Sequence, residues 1–164
     1  MNTNSSITVW APIPNEVTLV VENPTDSSQR RIAMYRDDDA WWHPSEPLPS
    51  VESGGELDYG FLLDNEDQVR PDPRSRRQPI GVHGLSRTYD PSSYVWGDEM
   101  WTGRQLPGGV IYELHIGTFT PEGTLTSAIG RLDHLVELGI DFVEVMPVNA
   151  FNGTHNWGYD GVLW

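Results

Sequence analysis

The hydrophobic pattern of the chain changes once, at Val110, and that change limits what the chain can fold into. From there "GVIYELHIGTF" reads as a strand rich in β-branched and aromatic residues, "PEGT" as a turn, and "LTSAIGRLDHLVELG" as an amphipathic helix. Leu125, Ala128, Ile129, Leu132, Leu135, Val136 and Leu138 recur at helical spacing, with Thr124 placed to cap the helix and Gly139 to end it. "IDFVEVMPV" follows as a second, largely apolar strand. A strand–helix–strand unit of about 30 residues implies parallel strands joined by a right-handed crossover. Such a pair needs neighbours at both edges and cover on both faces. Residues 110–164 supply neither, so the expectation is the opening of a barrel or open sheet that these residues do not complete.

Residues 1–95 follow a different rule. "ITVWAP", "EVTLVV", "RRIAMYR", "AWWHP" and "GELDYGFLLD" are short strands separated by turn chemistry in "NPTDSS", "RDDD" and "ESGG". Val17, Leu19 and Val21 fall on one side of their strand, as do Ile7 and Val9 of theirs. This spacing predicts an antiparallel β-sandwich. A proline-rich stretch from Arg70 to Gly109 has little periodicity and reads as a connector laid over another surface, with residues 96–109 as the linker proper. Its basic cluster, Arg70, Arg74, Arg76 and Arg77, is expected to clamp the two halves together through neighbouring aspartates.

Charge and composition exclude several functions. The 164 residues carry 24 acids and 10 bases, a net charge of −14, and every base is arginine. Such a surface repels phosphate backbones and anionic lipid heads, so neither nucleic acid nor membrane is an expected partner. There is no cysteine, which removes disulfides and thiolate chemistry and fits a reducing compartment. The first residues lack the basic and apolar regions of a signal peptide, and no apolar run is long enough to span a bilayer. A cytoplasmic location is the expectation. The five histidines lack metal-ligand spacing, and Asp37–Asp39 lack the glycine and spaced oxygens of a calcium loop, so no metal or cofactor is expected.

Near the end of the second unit, "HNWGYDG" presents two flat rings and a carboxylate between glycines. Together with "PDPRSRRQPIGVHGLSRTYDP", "VIYELHIGTFTPEGT" and "GIDFVEVMPV", it resembles the maltooligosyltrehalose trehalohydrolase family of the α-amylase superfamily of glycoside hydrolases. "VEVMPV" is shared with glycogen branching and debranching relatives, whereas the connector, "HIGTFTPEGT" and "WGYDG" are more specific to the trehalohydrolases. The resemblance implies an immunoglobulin-like, carbohydrate-binding-module-like sandwich over 1–95, then the first β-α-β of an incomplete (β/α)8 TIM barrel over 110–164.

It also implies the chemistry. The α-1,4 bond next to a terminal trehalose unit of maltooligosyltrehalose is cleaved and trehalose is released, after a synthase partner, maltooligosyltrehalose synthase, has formed the terminal linkage. Tyr159 takes the position of the tyrosine that stacks under the sugar ring at the cleaved bond. Trp157 is placed to extend that platform, and Asp160 and His155 to meet hydroxyls. Retaining glycosidases need two carboxyl groups about 5–5.5 Å apart. The family carries them on later strands of a barrel of about 250 residues, and Glu113, Glu144 and Asp160 match none of those positions. No catalytic residue is therefore expected within the chain, which should be inactive alone.

The plainer readings stand beside these. Glu113 and Glu144, in apolar strands, are expected to be satisfied by structural hydrogen bonds. Adjacent strand residues face opposite ways, so one of Trp41 and Trp42 is expected in the core and the other outside. An exposed ring there would make the sandwich a non-catalytic α-glucan-binding module, the main alternative, with a fragment of a branching or debranching enzyme as another. The apolar faces of the helix and two strands are expected to form an exposed patch or to drive self-association.

Overall fold

The computed structural model describes residues 7–49 and 55–163, so most of the "ESGG" turn lies outside the described residues. The chain divides into two compact units, residues 1–95 with 163–164, and residues 96–162.

The first unit is built on six strands: β1 (Val9–Trp10), β2 (Val17–Glu22), β3 (Gln29–Arg36), β4 (Trp41–Pro44), β5 (Asp58–Leu63) and β6 (Ser86–Arg87). They form one antiparallel sheet in the order β1-β4-β3-β2-β5-β6. β3 changes partners along its length: Gln29 to Ala33 pair with β2, and Met34 to Arg36 pair with β4. That hand-over lets a single sheet curl over its own core. The expected sandwich is thus realised as one curled sheet.

Alternation sets the core. Leu19 is flanked in register by Ile32 and Phe61, and these three side chains, each at most 2 % exposed, form a row across β3, β2 and β5. Ile7, Val9, Val17, Val21, Met34, Trp42 and Tyr59 complete the cluster. The turns work as their residues dictate. Asn23 and Asp26 accept from the backbone amides of Thr25 and Ser28 in the β2–β3 turn. Asp37 accepts from the amides of Asp39 and Trp41 in the next turn.

The connector folds back on β5. Arg70 exchanges two backbone hydrogen bonds of 2.8 Å with Phe61, and Ser86 and Arg87 pair with Tyr59 and Asp58. A buried polar seam fastens it: the Tyr59 hydroxyl donates to Asp72 at 2.9 Å, the Asp72 amide donates to Ser86, and Arg87 grips Asp58 with two bonds of 2.6 and 2.8 Å. Burial, then the Asp72 charge, pushes the Tyr59 phenol far above its ordinary range.

The arginine cluster departs from expectation. Arg70 pairs with Glu66, Arg77 with Glu56, and Arg74 bonds the Thr8 carbonyl while its guanidinium lies 4.5 Å from the Trp41 ring centre. These partners all lie within residues 1–95. Arg70, Arg74 and Arg77 thus fasten the connector within the first unit.

The second unit holds β7 (Ile111–Leu114), three short helices, α1 (Ile116–Phe119), α2 (Leu125–Ile129) and α3 (Leu132–Glu137), and β8 (Phe142–Val145). β7 and β8 pair in parallel, as the strand–helix–strand pattern predicts, in a two-stranded sheet. Asp141 secures the start of β7: its carboxylate accepts from the Val110 amide at 2.9 Å and pairs with Arg104.

Thr124 caps α2 as expected, in a reciprocal box with Ser127. Gly139, at φ +81°, ends α3. Two expectations fail. The single helix over 125–138 is interrupted at Gly130 and Arg131, where Arg131 takes φ −113° and ψ 4°. Residues 116–119, read as strand, form a helical turn instead. Of the seven apolar helix positions only Ala128 and Leu135 are buried; Ile129 and Val136 are 66 % and 72 % exposed. A two-stranded sheet has too little face to cover the rest.

Candidate functional site

The candidate site is the loop that follows β8. Successive strand residues face opposite ways, so Ile111 and Glu113 share one face of β7 while Tyr112 and Leu114 share the other. Parallel register sets Glu113 beside Glu144 and Ile111 beside Phe142. Leu114 is buried, whereas Glu113 and Glu144 are both exposed. The two carboxylates therefore stand side by side on the less covered face of the pair.

The loop is seated against the ends of both strands. Gly158 is buried at φ +104°, and a Cβ built there would overlap the Met146 Cε and lie 3.4 Å from His115 Cδ2. Met146 follows the last residue of β8 and His115 the last residue of β7, so glycine is required both by the dihedral and by the space. The Gly158 amide donates to Asn156 Oδ1, the Trp157 amide to Asp160 Oδ2 at 2.8 Å, and the Val162 amide to the Ala150 carbonyl at 2.9 Å.

From this seat the rings point outward. Trp157 is 87 % exposed and Tyr159 67 %. Tyr159 is tethered at its far end, where its hydroxyl donates to Glu113 Oε1 at 2.6 Å. That bond first, and then the charges of Glu113 and Glu144, hold the phenol above its ordinary pKa, so it stays a protonated donor near neutral pH. Asp160 commits one oxygen to the Trp157 amide, and His155 Nδ1 meets the Thr154 hydroxyl at 2.9 Å. The four expected residues thus share one loop. Only Trp157 and Asp160 are joined by a bond, while Tyr159 is joined to a strand residue that sequence reasoning treated as structural.

Glu113 is indeed satisfied by a hydrogen bond, but the donor belongs to the candidate site. The available signal was an acid at matched positions of both parallel strands. Among the described residues there is no group of three or more histidines, aspartates or glutamates able to hold a metal ion. No helix among them is long and apolar enough to cross a membrane.

The described fold is similar to that of solved α-amylase-type structures. The chain superposes on a Salmonella typhimurium protein assigned as an alpha amylase with TM-score 0.81 and 39 % identity, covering 96 % of this chain and 25 % of that one. A pullulanase of Anoxybacillus sp. LM18-11, solved with maltotetraose, matches in fold with TM-score 0.79 at 22 % identity, covering 95 % of this chain and 26 % of its own. No family model matches the chain.

In sequence the resemblance is narrower. The chain is 55 % identical over 95 % of its length to the malto-oligosyltrehalose trehalohydrolase of Rhizobium sp. (strain M-11), and covers 26 % of it. It is 56 % identical over 98 % of its length to that of Arthrobacter ramosus, and covers 27 % of it. The 1,4-alpha-glucan branching enzyme GlgB of Corynebacterium jeikeium is only 28 % identical over 94 % of the chain and is covered to 22 % of its length. The chain is thus similar to trehalohydrolases along almost all of its residues and spans about a quarter of the length of these relatives.

Proposed function

We propose that the chain is part of a glycoside hydrolase that cleaves the α-1,4-glucosidic bond next to the terminal trehalose of maltooligosyltrehalose and releases trehalose. The observation that carries this reading is identity of 55–56 % to two trehalohydrolases over nearly the whole chain. In this reading residues 1–95 are the accessory immunoglobulin-like domain, 96–109 the linker, and 110–164 the first β-α-β of a (β/α)8 barrel. The strand ends carrying the loop are then the face on which such barrels do their chemistry.

Tyr159 forms the floor of a saccharide subsite in this reading. One side of a glucose ring presents C–H bonds, and an aromatic face buries them while leaving the hydroxyls free to hydrogen-bond. Its exposed ring supports this role. Trp157 extends the platform, and the free oxygen of Asp160 and the His155 ring meet hydroxyls. The acids that break the bond belong to the three-quarters of the relatives' length that the chain does not span, so residues 1–164 alone are inactive. The substrate comes from maltooligosyltrehalose synthase, and the reaction is cytoplasmic.

Assaying the full-length gene product on maltooligosyltrehalose tests the proposal. Free trehalose is expected; branched glucan without trehalose would reassign the parent to branching enzymes. The alternative of an independent glucan-binding module is not favoured by the relatives' names; Trp42 is 4 % exposed and Arg74 lies over the half-buried Trp41, while Trp10, in register with Trp41, is 55 % exposed. Titrating the chain with maltoheptaose should leave its tryptophan fluorescence unaffected by the first unit. The exposed apolar residues of α2 and α3 support either cover by the rest of a barrel or self-association.

A further inference from the structure

We infer that Glu113 is the positioning residue for Tyr159: a carboxylate on a rigid strand that fixes the tilt and height of the ring through its hydroxyl. The inference rests on the reading of Tyr159 as a saccharide-contacting ring.

An exposed tyrosine on an irregular loop has two soft side-chain torsions and a mobile backbone beneath it. Stacking a sugar on such a ring first requires ordering it, and that cost is subtracted from binding. Two devices remove the freedom here. Gly158 sets the backbone down against Met146 and His115, which fixes where the side chain starts. The 2.6 Å bond to Glu113, made across 46 residues of sequence, fixes where it finishes. With both ends held, the ring face is presented ready-made.

Glu113 suits this role for three reasons. It is on β7, whose four residues are all paired in register with β8, so its backbone is held along the whole strand. It is an ionised acceptor, and a hydroxyl donating to a carboxylate makes a shorter and stronger bond than one donating to a neutral group. A phenol that donates to an anion also has a more electron-rich ring, which favours contact with the slightly positive C–H bonds of a sugar. Glu144 is the charged neighbour on the adjacent strand, and like Glu113 it disfavours the phenolate. The tether therefore holds until alkaline pH, because the donor keeps its proton.

Two measurements test this separately. In the 164-residue chain, tyrosines labelled with 13C at Cζ can be titrated by NMR, with Tyr159→Phe identifying the resonance. Wild-type Tyr159 should deprotonate at higher pH than in Glu113→Ala; identical titration curves would overturn the contact. In the full-length enzyme, Glu113→Ala should lower kcat/KM by roughly 10- to 100-fold, the scale of a misplaced positioning group. Glu113→Gln, which keeps an acceptor, should recover most of it. In a Tyr159→Phe background the same Glu113→Ala change should cost nothing further, because its route of action is gone. An undiminished loss there would show that Glu113 acts otherwise and overturn the inference. A full-length protein releasing no trehalose would defeat the functional reading, while the titration would still decide the contact.

Discussion

Replacing Gly158 by alanine separates the two devices that seat the loop. The first cost is conformational: a residue with a Cβ held at φ +104° is strained by about 1–3 kcal/mol. The second is steric, since the new methyl would overlap Met146 Cε and lie 3.1 Å from its Sδ. Overpacking costs about 1–3 kcal/mol, and the low end applies because the far end of a methionine can swing away. The sum is about 2–4 kcal/mol. Against it stand three backbone tethers within the loop, from the amides of Trp157, Gly158 and Val162. At about 1 kcal/mol each they total about 3 kcal/mol. Those three bonds close the loop on itself, and the Tyr159–Glu113 bond ties it to the strands as well, so the strain should open the loop more often while the rest of the unit stays folded.

Amide hydrogen exchange reads this directly. Protection at residues 157, 158 and 162 should fall by one to two orders of magnitude in Gly158→Ala, and the Tyr159 titration should move towards an ordinary phenol. Adding Met146→Ala removes the overlap but leaves the dihedral strain, so it should restore only part of the protection. Urea unfolding followed through the buried Trp42 of the first unit should be unchanged and serves as an internal control. Unaltered loop exchange in Gly158→Ala would refute the reasoning, because it would mean that neither the dihedral nor the packing at position 158 holds the loop.

Two further perturbations address the first unit. Arg87→Ala strips both bonds from Asp58, which is 6 % exposed, and should cost about 3–5 kcal/mol in urea denaturation, with Asp58→Asn in the same background recovering part of it. Asp37 has its carboxyl held below the ordinary value, first by its bond with His43 and then by the Trp41 amide. A depressed folded-state pKa stabilises above the unfolded value and is lost as pH falls through the folded one. The urea midpoint should therefore decline less between pH 5 and pH 2.5 in Asp37→Asn than in the wild type; equal declines would exclude this contribution.

The features legible in the sequence are those set by neighbours along the chain. Val17, Leu19 and Val21 announce a buried face because strand alternation has period two, and Thr124 announces a helix start because its cap partner is three residues away. Gly130 was hidden because α2 and α3 continue the same apolar period through the break, so the pattern looks like one helix. "HIGTF" has strand composition but no ladder to join: β8 ends at Val145, and the Met146 amide closes the sheet on the Leu114 carbonyl. The chain then satisfies its own backbone with a helical turn. Contacts across distance were the least legible. Arg74 over Trp41 spans 33 residues and Tyr159 to Glu113 spans 46. Composition named the loop's residues, and family resemblance supplied their address. Only the register of two parallel strands could show that an acid in an apolar strand serves the ring of a distant loop. If that register is what places Glu113, a one-residue slip of β7 would turn its side chain to the covered face and release Tyr159 with every site residue still present.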